Sequence, residues 1–242
     1  MTHAIAGRRA VAEALRAGRR LHEVVLAEAT DPLAETARAS GVPVRLRQRA
    51  ELDRLARGVL HQGVVAVAPP FPYRTLEELK DADLVVVLDG VTDPQNLGAI
   101  ARSAELAGAG GLVLRERRSV HVTTAAEKAS AGALSWLPVA LVPNIARALG
   151  DLQSAGLWTV GLDVDGERDL WSSSLFDGRL ALVVGAEGAG LSRLVAARVD
   201  ALVAVPTRGH IGSLNASVAA AIALFEIVRR RHVGLVNLDH ET

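Results

Sequence analysis

The chain contains no cysteine, a single methionine, and only three Trp, three Phe and one Tyr. Without cysteine there is no disulfide scaffold, no thiolate zinc site and no cysteine nucleophile. The absence fits a reducing compartment, and a cytoplasmic location is expected. Net charge is also lacking, because 27 basic residues balance 27 acidic ones. Lysine occurs only at Lys80 and Lys128. No apolar run reads as a membrane span. Residues 129–146 are uncharged but broken by Pro138 and Pro143, each of which interrupts a helix. Residues 209–225 carry His210, Ser213, Asn215 and Ser217 and fall short of the ~20 apolar residues a span requires. The first twenty residues hold five arginines and no continuous apolar core, so a secretory leader is not expected. Neither a membrane nor a metal is expected as a partner.

What is present is enough apolar material, 50% of 242 residues, to exclude a largely disordered chain. The charge is unevenly placed. Residues 1–74 hold 12 Arg against 7 Asp and Glu, a surplus of five; residues 75–242 hold 15 basic and 20 acidic residues, a deficit of five. A basic front end of this kind suits contact with a polyanion, although a small domain also acquires such a surplus without function. The segment Ala68–Tyr73 (APPFPY) has three prolines in six residues and reads as a stiff connection. The expected organisation is a front domain over 1–70, a linker over 71–80 and a second domain over 81–242.

In the front domain the pattern predicts helices over 10–17, 32–39 and 50–56 and strands over 23–26, 42–46 and 64–68. Beyond the linker, strands over 84–88, 111–114, 139–142, 158–162, 180–184 and 201–205 alternate with helices over 94–107, 124–131, 145–154, 192–197 and from 214 to about 231. The strands are continuous apolar runs such as LVVVL and LALVV, the signature of strands covered on both faces. The fold class is therefore α/β with a mostly parallel sheet, and ligands in such a sheet bind at the carboxyl ends of the strands.

Three strand ends carry candidate chemistry. In LDGVTDPQNLGAIARSAE (88–105), Asp93 suits an N-cap and Pro94 the first helical position. Leu97, Ile100, Ala101 and Ala104 form the apolar stripe, with Arg102 well off it. A helix-face Arg is usually a solvated surface residue, and Asn96 and Arg102 lie ~120° apart on an ideal helix, so spacing alone does not bring them together. In VVGAEGAGLS (183–192) the order G-x-x-G-x-G is not that of a dinucleotide cradle. Glu187 inside the loop would repel a pyrophosphate, and a tight turn explains the glycines equally well. In VPTRGHIGSLNASVAAAIALFE (205–226), Leu214, Val218, Ala221, Ile222 and Phe225 make an apolar stripe read as core. Ser213 is read as the N-cap of that helix, with Asn215 in its first turn, and the free N–H groups there could hold an anion. His210 could serve as a base, but a loop histidine more often does not.

Taken together and in order, DPQNLGAIARSAE, LALVVGAEGAGLS and VPTRGHIGSLNASVAAAIALFE resemble the three motifs of the SpoU (TrmH-like) RNA ribose 2′-O-methyltransferases of the SPOUT superfamily. HAIAGRRAVAEAL and LHQGVVAVAPP at the front resemble the L30e-like substrate-binding domain of its ribosomal RNA branch, most like the bacterial 23S rRNA guanosine 2′-O-methyltransferases. The resemblance implies a C-terminal trefoil knot, S-adenosylmethionine as cofactor, and a homodimer formed through the knot domain. It places Gly161, Gly185, Val205 and Leu214 around the cofactor, and Asn96, Arg102, Glu187, Ser213 and Asn215 in the catalytic set, with Arg102 completing the partner chain's site. Arg8, Arg9 and Arg102 are the candidate RNA contacts. Because a guanidinium keeps its proton in proteins, Arg102 is assigned to clamping the target phosphate and stabilising charge at O2′, and the proton acceptor stays open. The segment Thr207-Arg208-Gly209-His210 departs from the Met-containing version of many members. Within the family, transfer RNA or an rRNA site tied to antibiotic resistance are alternative substrates. From other classes, a nucleotide-dependent oxidoreductase and a non-catalytic RNA-binding protein remain as rival readings.

Overall fold

The computed structural model describes residues 2–172 and 176–238. It divides into two compact units that do not follow chain order: residues 1–73 with 93–102 and 121–137, and residues 74–92 with 103–120 and 138–242.

The first unit is built on strands β1 (His3–Ala6), β2 (Glu23–Leu26), β3 (Val44–Leu46) and β4 (Val64–Ala68), in the order β1-β4-β2-β3. β4 is antiparallel to both neighbours, and β2 and β3 are parallel. The period of two along each strand sorts side chains to opposite faces. Val24, Leu26, Val64 and Ala66 pack with Val11 and Leu15 of helix α1 (Arg8–Arg16) and with Ala34 and Ala37 of α2 (Leu33–Ala39). Val25 and Val65 pack on the other face with Leu52 and Ala56 of α3 (Arg49–Ala56). β1 is an element that the sequence pattern did not reveal. Its four residues become a strand by pairing along β4, Ile5 opposite Ala66.

The second unit is a seven-stranded, wholly parallel sheet. Its strands are β5 (Leu84–Asp89), β6 (Gly111–Arg115), β7 (Val139–Val142), β8 (Trp158–Leu162), β9 (Arg168–Asp169), β10 (Leu180–Gly185) and β11 (Ala201–Ala204). They lie in the order β7-β6-β5-β10-β8-β11-β9. β5 and β10 are buried along their whole length, as the unbroken apolar runs require. Helix α4 (Pro94–Leu106) follows β5, α5 (Thr124–Ala129) lies between β6 and β7, and α6 (Ile145–Ser154) follows β7. The short α7 (Arg193–Ala196) leads into β11, and α8 (Ala216–Leu238) is the last of the described elements. The two-residue β9 also went unread, being too short to show a pattern.

The last helix differs from expectation at its start and on one face. It begins at Ala216, and its cap is Asn215, not Ser213: Asn215 Oδ1 accepts from Ser217 N at 2.9 Å and from Ser217 Oγ at 2.6 Å. The face that enters the core is Ala216, Ala220, Ala223, Leu224 and Ile227. Val218 and Phe225, read as core, are 46% and 48% exposed. Small alanines let α8 approach the sheet on one side, and the larger side chains of the stripe are left facing outward.

Candidate functional site at the ends of the parallel strands

Strand order doubles back where β10 lies between β5 and β8, the kind of switch point at which open parallel sheets bind ligands. Here Asp89 and Gly185 are register partners at the ends of their strands. Asp89 is 6% exposed, and its Oδ2 accepts the Ser192 N–H at 2.7 Å, tying the end of the glycine loop to the end of β5. The loop closes on itself through Ala186 N to Gly190 O (3.0 Å) and Gly190 N to Ala186 O (2.9 Å). Gly190 takes a φ of 63°, a left-handed conformation that glycine adopts without cost. Gly185 answers a different constraint, since a Cβ there would stand 2.2 Å from the Gly190 carbonyl carbon. The glycines are therefore built for a tight turn with its backbone drawn in against β10.

This turn, the ends of β8 and β11 and the approach to α8 enclose a cavity of about 400 Å³, within the range of small-molecule sites. Gly185, Glu187, Val205, Ser213 and Leu214 line it, five of the residues anticipated from sequence. Asn215 adjoins them, its Nδ2 donating to Glu187 Oε2 at 3.4 Å. Because Asn215 Oδ1 is committed to the helix cap, the amide presents its donor to Glu187. Gly161 does not line the cavity but precedes Leu162, which does, and its missing Cβ leaves room for the ends of Leu191 and Leu202.

Asn96 and Arg102 fall in the other compact unit; Asn96 is buried, 7% exposed, and Arg102 is exposed. Arg8 is held 2.7 Å from the buried Asp31 carboxylate, and Arg9 is exposed. The cavity also brings in Asp163 and Asp165, which the sequence pattern had not marked, and Thr207, the first residue of the segment that departs from the family's Met-containing version. The signal was an acidic pair, LDVDG, immediately after the apolar strand β8, a strand end like the three that were weighed. Three carboxylates thus line the cavity, and no Lys, Arg or His does among the described residues. No cluster of His, Asp and Glu able to hold a metal occurs among the described residues.

A cavity walled by a glycine turn at the switch point of a parallel sheet, with three carboxylates in its lining, is the kind of site at which α/β proteins hold a small molecule. Comparison with known proteins specifies it. Residues 83–225 match the SpoU rRNA Methylase family, and residues 4–74 match the RNA 2′-O ribose methyltransferase substrate binding domain. The chain belongs to the SpoU/TrmH family of RNA methyltransferases. A relative assigned to the TrmH tRNA/rRNA methyltransferases, YacO of Bacillus subtilis (strain 168), is 38% identical over 94% of this chain and 96% of its own. Among solved structures, the SpoU methyltransferase AviRb from Streptomyces viridochromogenes superposes with a TM-score of 0.84 at 27% identity, covering 96% of this chain and 91% of that one. AviRb is also known in complex with AdoMet. An AdoMet-bound rRNA methyltransferase from Sinorhizobium meliloti gives a TM-score of 0.80 at 27% identity over 95% of this chain and 87% of that one. Among the described residues, no helix is long and apolar enough to cross a membrane.

Proposed function

We propose that the chain transfers a methyl group from S-adenosylmethionine to the ribose 2′-hydroxyl of a nucleotide, a guanosine in 23S rRNA. The observation that carries the donor assignment is the charge of the cavity: Asp163, Asp165 and Glu187 line it with no Lys, Arg or His among the described residues. A sulfonium ligand with an ammonium group gains from such walls, whereas a dinucleotide's pyrophosphate is repelled. The apolar lining of Leu162, Val184, Val205 and Leu214 suits an adenosyl group. That combination disfavours the oxidoreductase reading. The substrate-binding match over 4–74 supports an RNA target, and the rRNA assignment rests on the front domain's resemblance to the ribosomal RNA branch.

When bound, the donor supplies an electrophilic methyl group. The chain's part is to hold and align, and alignment of this kind contributes ~7–11 kcal/mol to a displacement. Gly185, Val205 and Leu214 hold the donor, Gly185 by letting the Gly190 backbone pack against it so that the turn forms the cavity wall. Asn215, locked as a helix cap, holds Glu187 in orientation at the cavity wall. Ser213, exposed beside them, binds the target nucleotide. Asn96 and Arg102 complete the set, Arg102 clamping phosphate and stabilising negative charge at O2′ from the partner chain. The homodimer this requires is supported by the outward face of α8, where Val218 and Phe225 stand half-exposed around the partly buried Ala221 and Ile222. In this reading the front domain over 1–70, with Arg8 and Arg9, holds folded RNA through phosphate contacts, the connection over 71–80 joins it to the methyltransferase domain over 81–242, and the second unit carries the trefoil knot. Mapping ribose methylation across total RNA from cells with and without the protein tests the assignment. One guanosine in 23S rRNA is expected to lose its mark, and a change confined to tRNA would refute the substrate.

A further inference from the structure

The first compact unit contains a buried ion cluster that the proposed chemistry does not use. Glu127 of α5 is fully buried. Its Oε1 accepts from Arg19 at 2.5 Å and lies 3.1 Å from His3 Nε2, so one carboxylate oxygen joins α5 to β1 and to the turn after α1. Glu127 Oε2 and Arg19 NH2 find no other partner among the described residues, so each group depends on the other. Around them Arg19 stacks over the Phe71 ring at 5.0 Å, and Phe71 packs edge-on to Tyr73 at 4.9 Å. Tyr73 Oη accepts the Val122 N–H just before α5 at 2.8 Å. Lys128 adds a bond to Gln62 at 2.8 Å and lies across Gly7, whose φ of 100° and lack of Cβ leave it room.

The opposite side of α5 meets the first half of α4. A Cβ on Gly98 would stand 2.4 Å from Ala129 Cβ and 2.7 Å from both Ala126 O and Ser130 N. The two helices touch backbone to backbone, with no slack between the glycine and the turn that carries Glu127. Gly98 lies between Asn96 and Arg102, two residues after the first and four before the second.

We propose that Glu127 is a positioning residue for methyl transfer: by fixing α5 to β1 and Arg19, it sets the placement of Asn96 and Arg102 through the Gly98 contact. The front unit and the helix bearing the proposed RNA-activating side chains then move as one body, so that RNA held at the front is registered on Arg102. This rests on the proposed roles of Asn96 and Arg102. Isolated hydrophobic packing would also hold α5; a buried carboxylate with two partners adds a directional lock that loosens when either partner is removed.

The test compares wild type with Glu127→Gln, and with His3→Ala in case the first variant does not fold. Three quantities are read: amide exchange, single-turnover transfer to the RNA, and RNA affinity. Glu127→Gln is expected to speed exchange over 94–102 at least tenfold while β4 and β10 stay protected. Transfer should fall at least tenfold with RNA affinity changed less than threefold, and His3→Ala should move both quantities the same way, about threefold. Unchanged protection over 94–102 overturns the proposal, as does a loss spread equally over β1–β4. An Arg102→Ala variant that transfers normally would refute the site reading instead, and the exchange measurement judges the clamp independently of it.

Discussion

Gly185→Ala is the sharpest probe of the cavity, because its effect follows from a distance. The new Cβ would lie 2.2 Å from the Gly190 carbonyl carbon, 2.4 Å from its oxygen and 2.5 Å from Leu191 N. All three are backbone atoms, so no rotamer change relieves the contact. Reaching a normal separation of ~3.5 Å moves the 188–191 backbone by roughly 1 Å. The two hydrogen bonds between Ala186 and Gly190 are then lost or lengthened, at ~0.5–1.5 kcal/mol each, with overpacking adding ~1–3 kcal/mol. The expected destabilisation is about 2–6 kcal/mol, a fall in Tm of roughly 4–24 °C for a chain of this size. Gly178→Ala is the matched control, since a Cβ there meets nothing within 4 Å. Thermal denaturation and calorimetric titration with S-adenosylmethionine measure both consequences. Donor affinity should drop more than thirtyfold in Gly185→Ala and stay within threefold in Gly178→Ala. A Gly185→Ala protein that binds the donor within threefold of wild type would refute the reasoning that this turn forms the cavity wall.

Arg102→Lys keeps the charge but not the planar fork that clamps phosphate; turnover should fall below a third of wild type, and a higher value would refute the assigned role. Phe225→Asp places a charge on the outward face of α8 and should convert a dimer to a monomer by light scattering, with loss of transfer, whereas a wild type already monomeric would refute the dimer. Glu226 is held down to about 2, first by the hydrogen bonds from Arg229, against an opposing push from burial, with Arg230 adding to the hold. Because its folded value lies below the ordinary 4.5, its stabilisation is complete above about pH 4.5 and is lost as pH falls toward 2. Full conversion of that shift is discounted for solvent around Arg229, whose side chain is 59% exposed, leaving about 1–2 kcal/mol. Urea denaturation at pH 7 and pH 3 should show Glu226→Gln erasing roughly half of that amount from the difference, since pH 3 still lies above the folded value, and an unchanged pH dependence would refute it.

The parallel sheet was legible because unbroken apolar runs leave little alternative to strands covered on both faces, and five of the cavity residues, Gly185, Glu187, Val205, Ser213 and Leu214, were named through the resemblance to the SpoU motifs. Periodicity could not tell which large side chains of α8 enter the core. Val218 and Phe225 keep helical spacing whether they meet the sheet or another surface, and burial passed instead to Ala220, Ala223 and Leu224. The cap was displaced for a similar reason: Ser213 and Asn215 are both good caps, and the two-residue choice depends on where the chain leaves the 205–215 segment. Glu127 was invisible as a partner of Arg19 because 108 residues separate them; nothing local marks a lone Glu in a short helix as buried. Asp163 and Asp165 were readable in principle, since they follow an apolar strand as the other three polar strand ends do.

The most direct test is transfer itself. Purified chain, methyl-labelled S-adenosylmethionine and protein-free 23S rRNA are incubated, and the RNA is digested to nucleosides. The account predicts label recovered as 2′-O-methylguanosine, abolished by Gly185→Ala. Label on a base, or none on any RNA offered, would contradict it.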